Sequence, residues 1–342
     1  MKILQVMAGA EYGGAEEFFT RLAIALHKKD GIEQRVVIRK NEERAIRLVD
    51  GGVEPTLMKF GGKLDFQTPW AVKRTINEFK PDIVFSWMNR ATSMCPSKGD
   101  FVHIGRLGGY YNLKYYRDCD HLVANTEDIA DYLTNNGWAS DKVHYLPNFV
   151  GATRATPIDR QEFSTPKNAT LILAMGRLHE NKAFDVLMEA VARVPNTYLW
   201  LAGEGPLRGE LEALAEKLGI KPRTRFLGWR SDPERLFAAA DLFICPSRHE
   251  PLGNVVIESW AQGVPIIAAD SLGPGTLIRQ GENGVLFPVD DVKTLASSIK
   301  RLIQEPYLAN DLAVQAAQDY EENFTESIVV DKYLNFFERM IG

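Results

Sequence analysis

The 342-residue sequence contains only three cysteines, Cys95, Cys119 and Cys245, and no CxxC pair. So few thiols build neither a disulfide framework nor a zinc ribbon, and they fit a reducing compartment. A basic excess is also missing. The 40 Lys and Arg against 45 Asp and Glu leave a net charge of −5, the reverse of a general nucleic-acid binder, and no nucleic-acid partner is expected. No apolar run approaches the ~18 residues of a membrane span. Ala8-Gly9-Ala10 resembles a signal-cleavage site, but the apolar stretch before it is only Ile3–Met7, broken by Gln5. A secretory core needs ~7–15 apolar residues, so a first β-strand and a cytoplasmic location are expected. There is no GxGxxG, and no Lys-Ser/Thr follows the glycines near the N-terminus, which removes the nicotinamide fingerprint and the P-loop. Nor is there a motif for a pyridoxal lysine.

What is present is a globular composition, 45% hydrophobic and 25% charged, long enough for two domains at ~150 residues each. Short apolar runs alternate with helical stretches. The runs are Ile3–Met7, Arg35–Ile38, Thr56–Phe60, Ile83–Trp87, Phe101–Ile104, His121–Ala124 and Val143–Leu146. They resume at Leu171–Met175, Tyr198–Ala202, Arg225–Leu227, Leu242–Cys245, Pro265–Ala268 and Val285–Phe287. Strands apolar throughout and separated by helices predict parallel sheets covered on both faces, hence an α/β chain of two doubly wound domains. Residues 1–150 form the first, with 20 basic against 19 acidic side chains; residues 151–342 carry 20 against 26. The stretch 151–169, with Pro157, Pro166 and no periodicity, reads as a linker before a second domain over 170–324. Apolar residues from Ile328 to Met340 recur at helical spacing, predicting a C-terminal helix over 325–342 that packs back on the first domain. Ligands of such sheets sit at the carboxyl ends of strands, so the site is expected there, in a cleft between the domains.

Three post-strand loops carry candidate chemistry. Gly13-Gly14 precedes a helix near Ala15 and would let a backbone approach a ligand, although a tight strand–helix turn also explains it. Gly176-Arg177-Leu178-His179-Glu180-Asn181-Lys182 follows the strand Leu171–Met175. Arg177 offers a planar donor fork and Lys182 a point charge, together suited to a diphosphate, with a solvated basic loop as the alternative. Ser247-Arg248-His249-Glu250-Pro251-Leu252-Gly253-Asn254-Val255-Val256-Ile257-Glu258 follows Leu242–Cys245 and opens a helix. Glu250 stands before that helix, Glu258 about two turns in, and the amides after Gly253 form a phosphate-favouring N-terminus. The string Asp118-Cys119-Asp120 resembles a metal-binding DxD but precedes a strand, at the wrong end of the sheet, and no metal is expected.

With these pieces the sequence resembles the retaining, metal-independent glycosyltransferases of family 4. The matching segments are Gly13–Glu16 (GGAE), Gly176–Lys182 (GRLxxxK), Ala202–Pro206 (AGEGP), Phe226–Trp229 (FLGW), Pro246–Glu258, Gly263–Asp270 and Glu282–Asp291, in order along almost the whole chain. Ala183 follows Lys182 where the family usually has Gly, and Pro147-Asn148-Phe149-Val150 stands where many members have an Asn-Gly turn. The resemblance implies a GT-B fold and a nucleotide diphosphate sugar (UDP-, GDP- or ADP-linked) as co-substrate, with no further cofactor. It implies that Arg177 and Lys182 bind the diphosphate, helped by Gly13, Gly14 and the loop through Leu252, Gly253 and Asn254. Glu258 would hold the ribose, Glu250 would face the anomeric carbon, and Gly228, Trp229 and Arg230 would meet the base. His103, taken to stand just after a strand, matches the family's active-site His position. The segment HIGRLGGYYNLKYYRDCDHLVANT looks like bacterial lipopolysaccharide sugar transferases. Its Arg106, Tyr110, Tyr111 and Lys114 would face a glycan or glycolipid acceptor, or the anionic inner face of the plasma membrane. A sugar-nucleotide 2-epimerase of the same fold and a non-enzymatic two-lobed sugar-binding protein are the competing readings.

Overall fold

A computed structural model describes every residue except Tyr12, residues 62–64 and residues 152–153. Parts of the Gly9–Gly14 turn and of the 151–169 stretch therefore lie outside the described residues. The chain divides into two compact units. One comprises Met1–Phe149 and Glu326–Gly342, the other Val150–Thr325.

The first unit runs β1 (Lys2–Met7), α1 (Gly14–His27), β2 (Glu33–Arg39), α2 (Glu42–Asp50), β3 (Pro55–Met58), α3 (Gln67–Phe79), β4 (Ile83–Trp87), α4 (Met88–Thr92), β5 (Val102–Leu107), β6 (His121–Ala124), α5 (Glu127–Asn135) and β7 (Val143–Tyr145). Its described strands pair in parallel in the order β3-β2-β1-β4-β5-β6-β7. Helix starts follow side-chain chemistry: Asn41 accepts from the Arg44 amide and Thr126 from the Ile129 amide, each satisfying an N–H that a first helical turn leaves orphaned.

The second unit runs β8 (Thr170–Met175), α6 (Phe184–Ala192), β9 (Thr197–Ala202), α7 (Arg208–Lys217), β10 (Thr224–Gly228), α8 (Pro233–Ala239), β11 (Leu242–Cys245), α9 (Asn254–Gln262), β12 (Ile266–Ala269), α10 (Leu272–Leu277), β13 (Val285–Phe287), α11 (Val292–Gln304) and α12 (Pro306–Asn323). Its described strands pair in parallel in the order β10-β9-β8-β11-β12-β13. The strand order reverses direction at β1/β4 in one sheet and at β8/β11 in the other. Those switch points open a crevice at the strands' carboxyl ends.

The last helix, α13 (Glu326–Ile341), belongs to the first unit. It buries Val329, Val330, Tyr333, Phe336 and Phe337 completely. Phe337 meets Phe85 edge-on at 5.3 Å, and Phe18 meets Phe149 likewise at 5.3 Å. Each such side chain contributes about 1.5–3 kcal/mol, so the returning helix is part of that unit's core.

Two sequence expectations change. The stretch after Gly151 is not a free linker where it is described. Ile158 is buried in the second unit's core, Arg160 donates to the carbonyls of Ala239 and Ala169 and to Asp241, and Trp200 donates to Thr165. A scattered Arg, Thr and Ile have no period to read, yet each docks on the sheet. The strand expected over Phe101–Ile104 extends instead to Leu107. Gly105 continues it because a side chain there would strike Tyr116, Cys119 and Leu122, at 2.8–3.1 Å.

Candidate active site

The carboxyl ends of β8 and β11, neighbours at the second sheet's switch point, bring two of the candidate side chains together. Lys182 Nζ forms an ion pair with Glu250 Oε2, although 68 residues separate them in sequence. Both side chains are mostly buried, at 21% and 12% exposure. Burial opposes the lysine's charge. The Glu250 carboxylate, with Glu258 behind it, outweighs that and holds the Lys182 pKa above the usual lysine value. Lys182 is therefore a fixed ammonium. Cys245 lies close by, and burial pushes its thiol up to about 11, so it stays neutral.

The backbone around the pair is braced from several strands. Gly176 donates to the Ala202 carbonyl and Leu178 to that of Glu204, tying the turn after β8 to the turn after β9. A Cβ on Gly203 would stand 2.0 Å from the Gly176 carbonyl oxygen, so only glycine permits that approach. Arg248, to which the sequence reading gave no role, clamps the other side. Its guanidinium binds Asp185 bidentately at 3.1 and 2.7 Å and Asp290 at 2.6 Å, and donates to the Glu180 carbonyl at 2.8 Å. Ala183, after Lys182, adopts φ 49° and ψ 38°, the left-handed conformation natural to glycine, so the turn keeps its shape without one.

Gly253 caps α9 at φ 64°. The first turn of that helix turns its amide ends and partial positive charge toward the rim that carries Glu250. Because α9 starts at Asn254, Glu258 lies one turn into it, not two. Leu252 is half-buried in the same loop. Arg177 is exposed and has no hydrogen bond or ion pair among the described residues. Gly228 ends β10 at φ 69° and its carbonyl accepts from Gly203. Trp229 beyond it is 58% exposed, whereas Arg230 is engaged by Asp232 through two 2.8 Å bonds.

A further contributor lies outside the motifs. Gly273, in α10 after β12, donates to the Glu250 carbonyl at 2.8 Å. A Cβ there would lie 2.7 Å from that oxygen and from the Gly253 nitrogen. The Gly273-Pro274-Gly275 string was the available signal. Gly273→Ala is expected to shift the Glu250–Gly253 backbone and lower kcat/KM by about tenfold or more, since on the order of 1 Å of misplacement can cost ~100-fold. Donor kinetics beside a melting curve check it; unchanged kinetics would free Gly273 of this role.

The first unit places its candidates differently. His103 is near the amino end of β5, not just after a strand, and is 2% exposed. Its Nε2 lies 2.9 Å from Ser86 Oγ, its backbone N–H donates to Asp120, and burial pushes its pKa down to about 4. It shares the end of the sheet occupied by Asp118 and Asp120, away from the carboxyl-end loops, and is a core residue. Arg106, expected on an acceptor or membrane surface, is 1% exposed. Its guanidinium stacks 4.4 Å from the Trp87 ring and 4.8 Å from Phe18, and donates to Asn148 and Tyr333. Tyr110 donates to Asp128 and meets Tyr132 edge-on, Tyr111 accepts from Tyr132 through its carbonyl, and Lys114 lies over Tyr115. At the turn before α1, Glu16 Oε1 accepts from the Ala10 amide, and a Cβ on Gly13 would lie 2.3 Å from Glu16 Oε2. The glycine there, followed by Gly14 at the helix start, makes room for Glu16.

Two family descriptions match adjacent parts of the chain: Glycosyltransferase Family 4 over residues 12–154 and Glycosyl transferases group 1 over residues 155–319. The chain belongs to glycosyltransferase family 4. It is 37% identical over 337 residues to the lipopolysaccharide core biosynthesis glycosyltransferase LpsE of Rhizobium meliloti, covering 98% of each chain. It is 36% identical to LpsD of the same organism, covering 100% of this chain and 99% of that one. Among solved structures, Anabaena HepE in complex with UDP-glucose matches with a TM-score of 0.86 at 19% identity, over 99% of this chain and 100% of that one. At that identity the likeness shows the fold, and the fold of this glycosyltransferase is GT-B.

Proposed function

We propose that this glycosyltransferase moves a sugar from a nucleotide diphosphate sugar to a hydroxyl of a glycan or glycolipid. The transfer retains anomeric configuration and needs no metal ion, and it serves assembly of the lipopolysaccharide core. The observation that carries the reading is the Lys182–Glu250 pair at the β8/β11 switch point. The names of the two Rhizobium relatives support the acceptor class, and the UDP-glucose complex of HepE supports the donor class.

In this reading Lys182 and the exposed Arg177 meet the diphosphate, and the first turn of α9 adds its partial positive charge. Glu258 accepts hydrogen bonds from the ribose hydroxyls, and the backbone at Gly228–Arg230, with Trp229, meets the base. Glu250 faces the sugar. The bond between the anomeric carbon and the phosphate oxygen breaks through an oxocarbenium-like state, and the electron pair leaves with the diphosphate. The acceptor oxygen bonds to the anomeric carbon on the face just vacated, and its proton passes to the departing phosphate oxygen. The cations act most strongly where charge grows, on that oxygen.

The test is transfer from UDP-, GDP- and ADP-sugars to a truncated lipopolysaccharide core, with the product anomer read by proton NMR in buffer containing EDTA. Retained configuration with undiminished rate is the expected result. An inverted product, or activity lost to EDTA and restored by manganese, would overturn the mechanism. Epimerised donor without transfer would assign the chain to the epimerase reading.

A further inference from the structure

We propose that Arg248 is a positioning residue: it locks the loop after β8 to the loop after β11 so that Lys182 Nζ is held against Glu250. Lysine carries its charge on a flexible stem and has no fixed geometry of its own. The surroundings must therefore set where its ammonium stands. One constraint is Gly176. A Cβ there would lie 3.0 Å from Lys182 Cε and 3.2 Å from Cδ, so the stem runs directly across that glycine. The other is the backbone that carries Lys182, a single short turn over Glu180–Lys182 that ends on Ala183 at φ 49°. A left-handed alanine is disfavoured and persists where neighbouring contacts enforce it.

Arg248 supplies that enforcement. It grips the chain on both sides of Lys182 and Ala183, through the Glu180 carbonyl at 2.8 Å before them and bidentately through Asp185 at 3.1 and 2.7 Å after them. Its Nε reaches Asp290 at 2.6 Å, in the turn after β13, itself at φ 64°. The His249 amide donates to the Asn181 carbonyl at 3.3 Å, a second tie between the same two loops. Glu250 stands two residues after Arg248. The carboxylate that pairs with Lys182 and the guanidinium that fixes the lysine's loop thus share one short segment.

Arg248 is not itself a phosphate ligand. Four of its five N–H groups serve protein oxygens, and two carboxylates offset its charge. Nor is its main contribution to folding. Arg248 is 31% exposed and its two aspartates 47% and 52%, and ion pairs so open to water add little stability. What a bidentate fork supplies is orientation.

The inference rests on Lys182 acting in the transfer, and two readouts separate the two claims. The first needs no activity: acylation of Lys182 by a water-soluble N-hydroxysuccinimide ester, read by mass spectrometry against the exposed Lys217. Arg248→Met should speed labelling of Lys182 severalfold, because Nζ leaves the carboxylate that keeps it protonated. The second is a double-mutant cycle on kcat. Arg248→Met and Asp185→Asn should each lower kcat by about ten- to hundredfold, the effect of roughly 1 Å of misplacement. Donor KM should change much less, and the melting temperature should hardly move. In the Lys182→Ala background Arg248→Met should cost little further, since the group it positions is gone. Arg248→Lys keeps the charge without the fork and should regain only part of the rate. If Arg248→Met fails to fold, Asp185→Asn, in the first turn of α6, carries both readouts. Unchanged labelling of Lys182, or the same fold loss of kcat in both backgrounds, would overturn the proposal. Faster labelling with kcat unaltered by Lys182→Ala would keep Arg248 as the residue that places Lys182 and overturn the transfer reading instead.

Discussion

Lys182→Ala is expected to lower kcat by about a hundred- to thousand-fold, the ~2.7–4 kcal/mol typical of a preorganised group facing charge that develops in the transition state. KM for the donor should rise less, because the ground-state diphosphate already carries most of its charge and keeps Arg177. The ion pair with Glu250 adds a consequence for stability. Removing the ammonium leaves a carboxylate only 12% exposed without its partner, and breaking a buried pair can cost ~3–5 kcal/mol, less where water can enter. Lys182→Ala should therefore also lower the melting temperature. The double variant Lys182→Ala/Glu250→Ala should recover much of that loss and none of the rate. If kcat stays within about threefold of wild type, Lys182 has no part in the transfer. If the double variant recovers the rate, the lysine serves only to neutralise Glu250.

Arg106→Ala is expected to have the largest effect on stability. The guanidinium is sealed between Trp87 and Phe18 and donates to Asn148 at 2.5 Å and to Tyr333 at 3.2 Å. Alanine opens a cavity among aromatic rings and strips a donor from both acceptors. Cavity and orphaned groups together cost about 3–5 kcal/mol, or roughly 10 °C for a unit of this size. Tyr333 lies on α13, so undocking of the C-terminal helix should come first, and limited proteolysis should clip there before elsewhere. A loss below about 1 kcal/mol in urea unfolding would contradict the packing described for Arg106.

Most of the sheet framework was legible because strands buried on both faces leave unbroken apolar runs. The run Leu242–Cys245 coincides with β11, and Leu171–Met175 is within one residue of β8. The misreading of β5 shows the limit. Gly105 and Arg106 look like the end of an apolar strand, yet the glycine is demanded by Tyr116 and Cys119, and the arginine is solvated by rings instead of water. That error displaced Arg106 from the surface into the core; His103 lies inside the strand with either boundary, near its amino end.

The loops proposed to meet the donor could be picked out for a different reason. In a parallel sheet the residues just after strands share an edge, so Arg177, Lys182 and Glu250 could be placed together before any distance was known. What sequence order does not carry is which loops touch. Gly273 supports Glu250 from another strand's loop, and Arg248 joins Asp185 to Asp290, through contacts fixed only once the sheet is assembled.

The central claim is that the β8 and β11 loops hold the diphosphate of a nucleotide sugar. A crystal structure with the nucleoside diphosphate that most raises the melting temperature tests it directly. The account predicts phosphate oxygens within hydrogen-bond distance of Arg177, Lys182 Nζ and the first-turn amides of α9, and the ribose hydroxyls on Glu258. A nucleotide bound away from these loops, or one whose phosphates leave the Lys182–Glu250 pair untouched while the base occupies the Glu258 position, would contradict it.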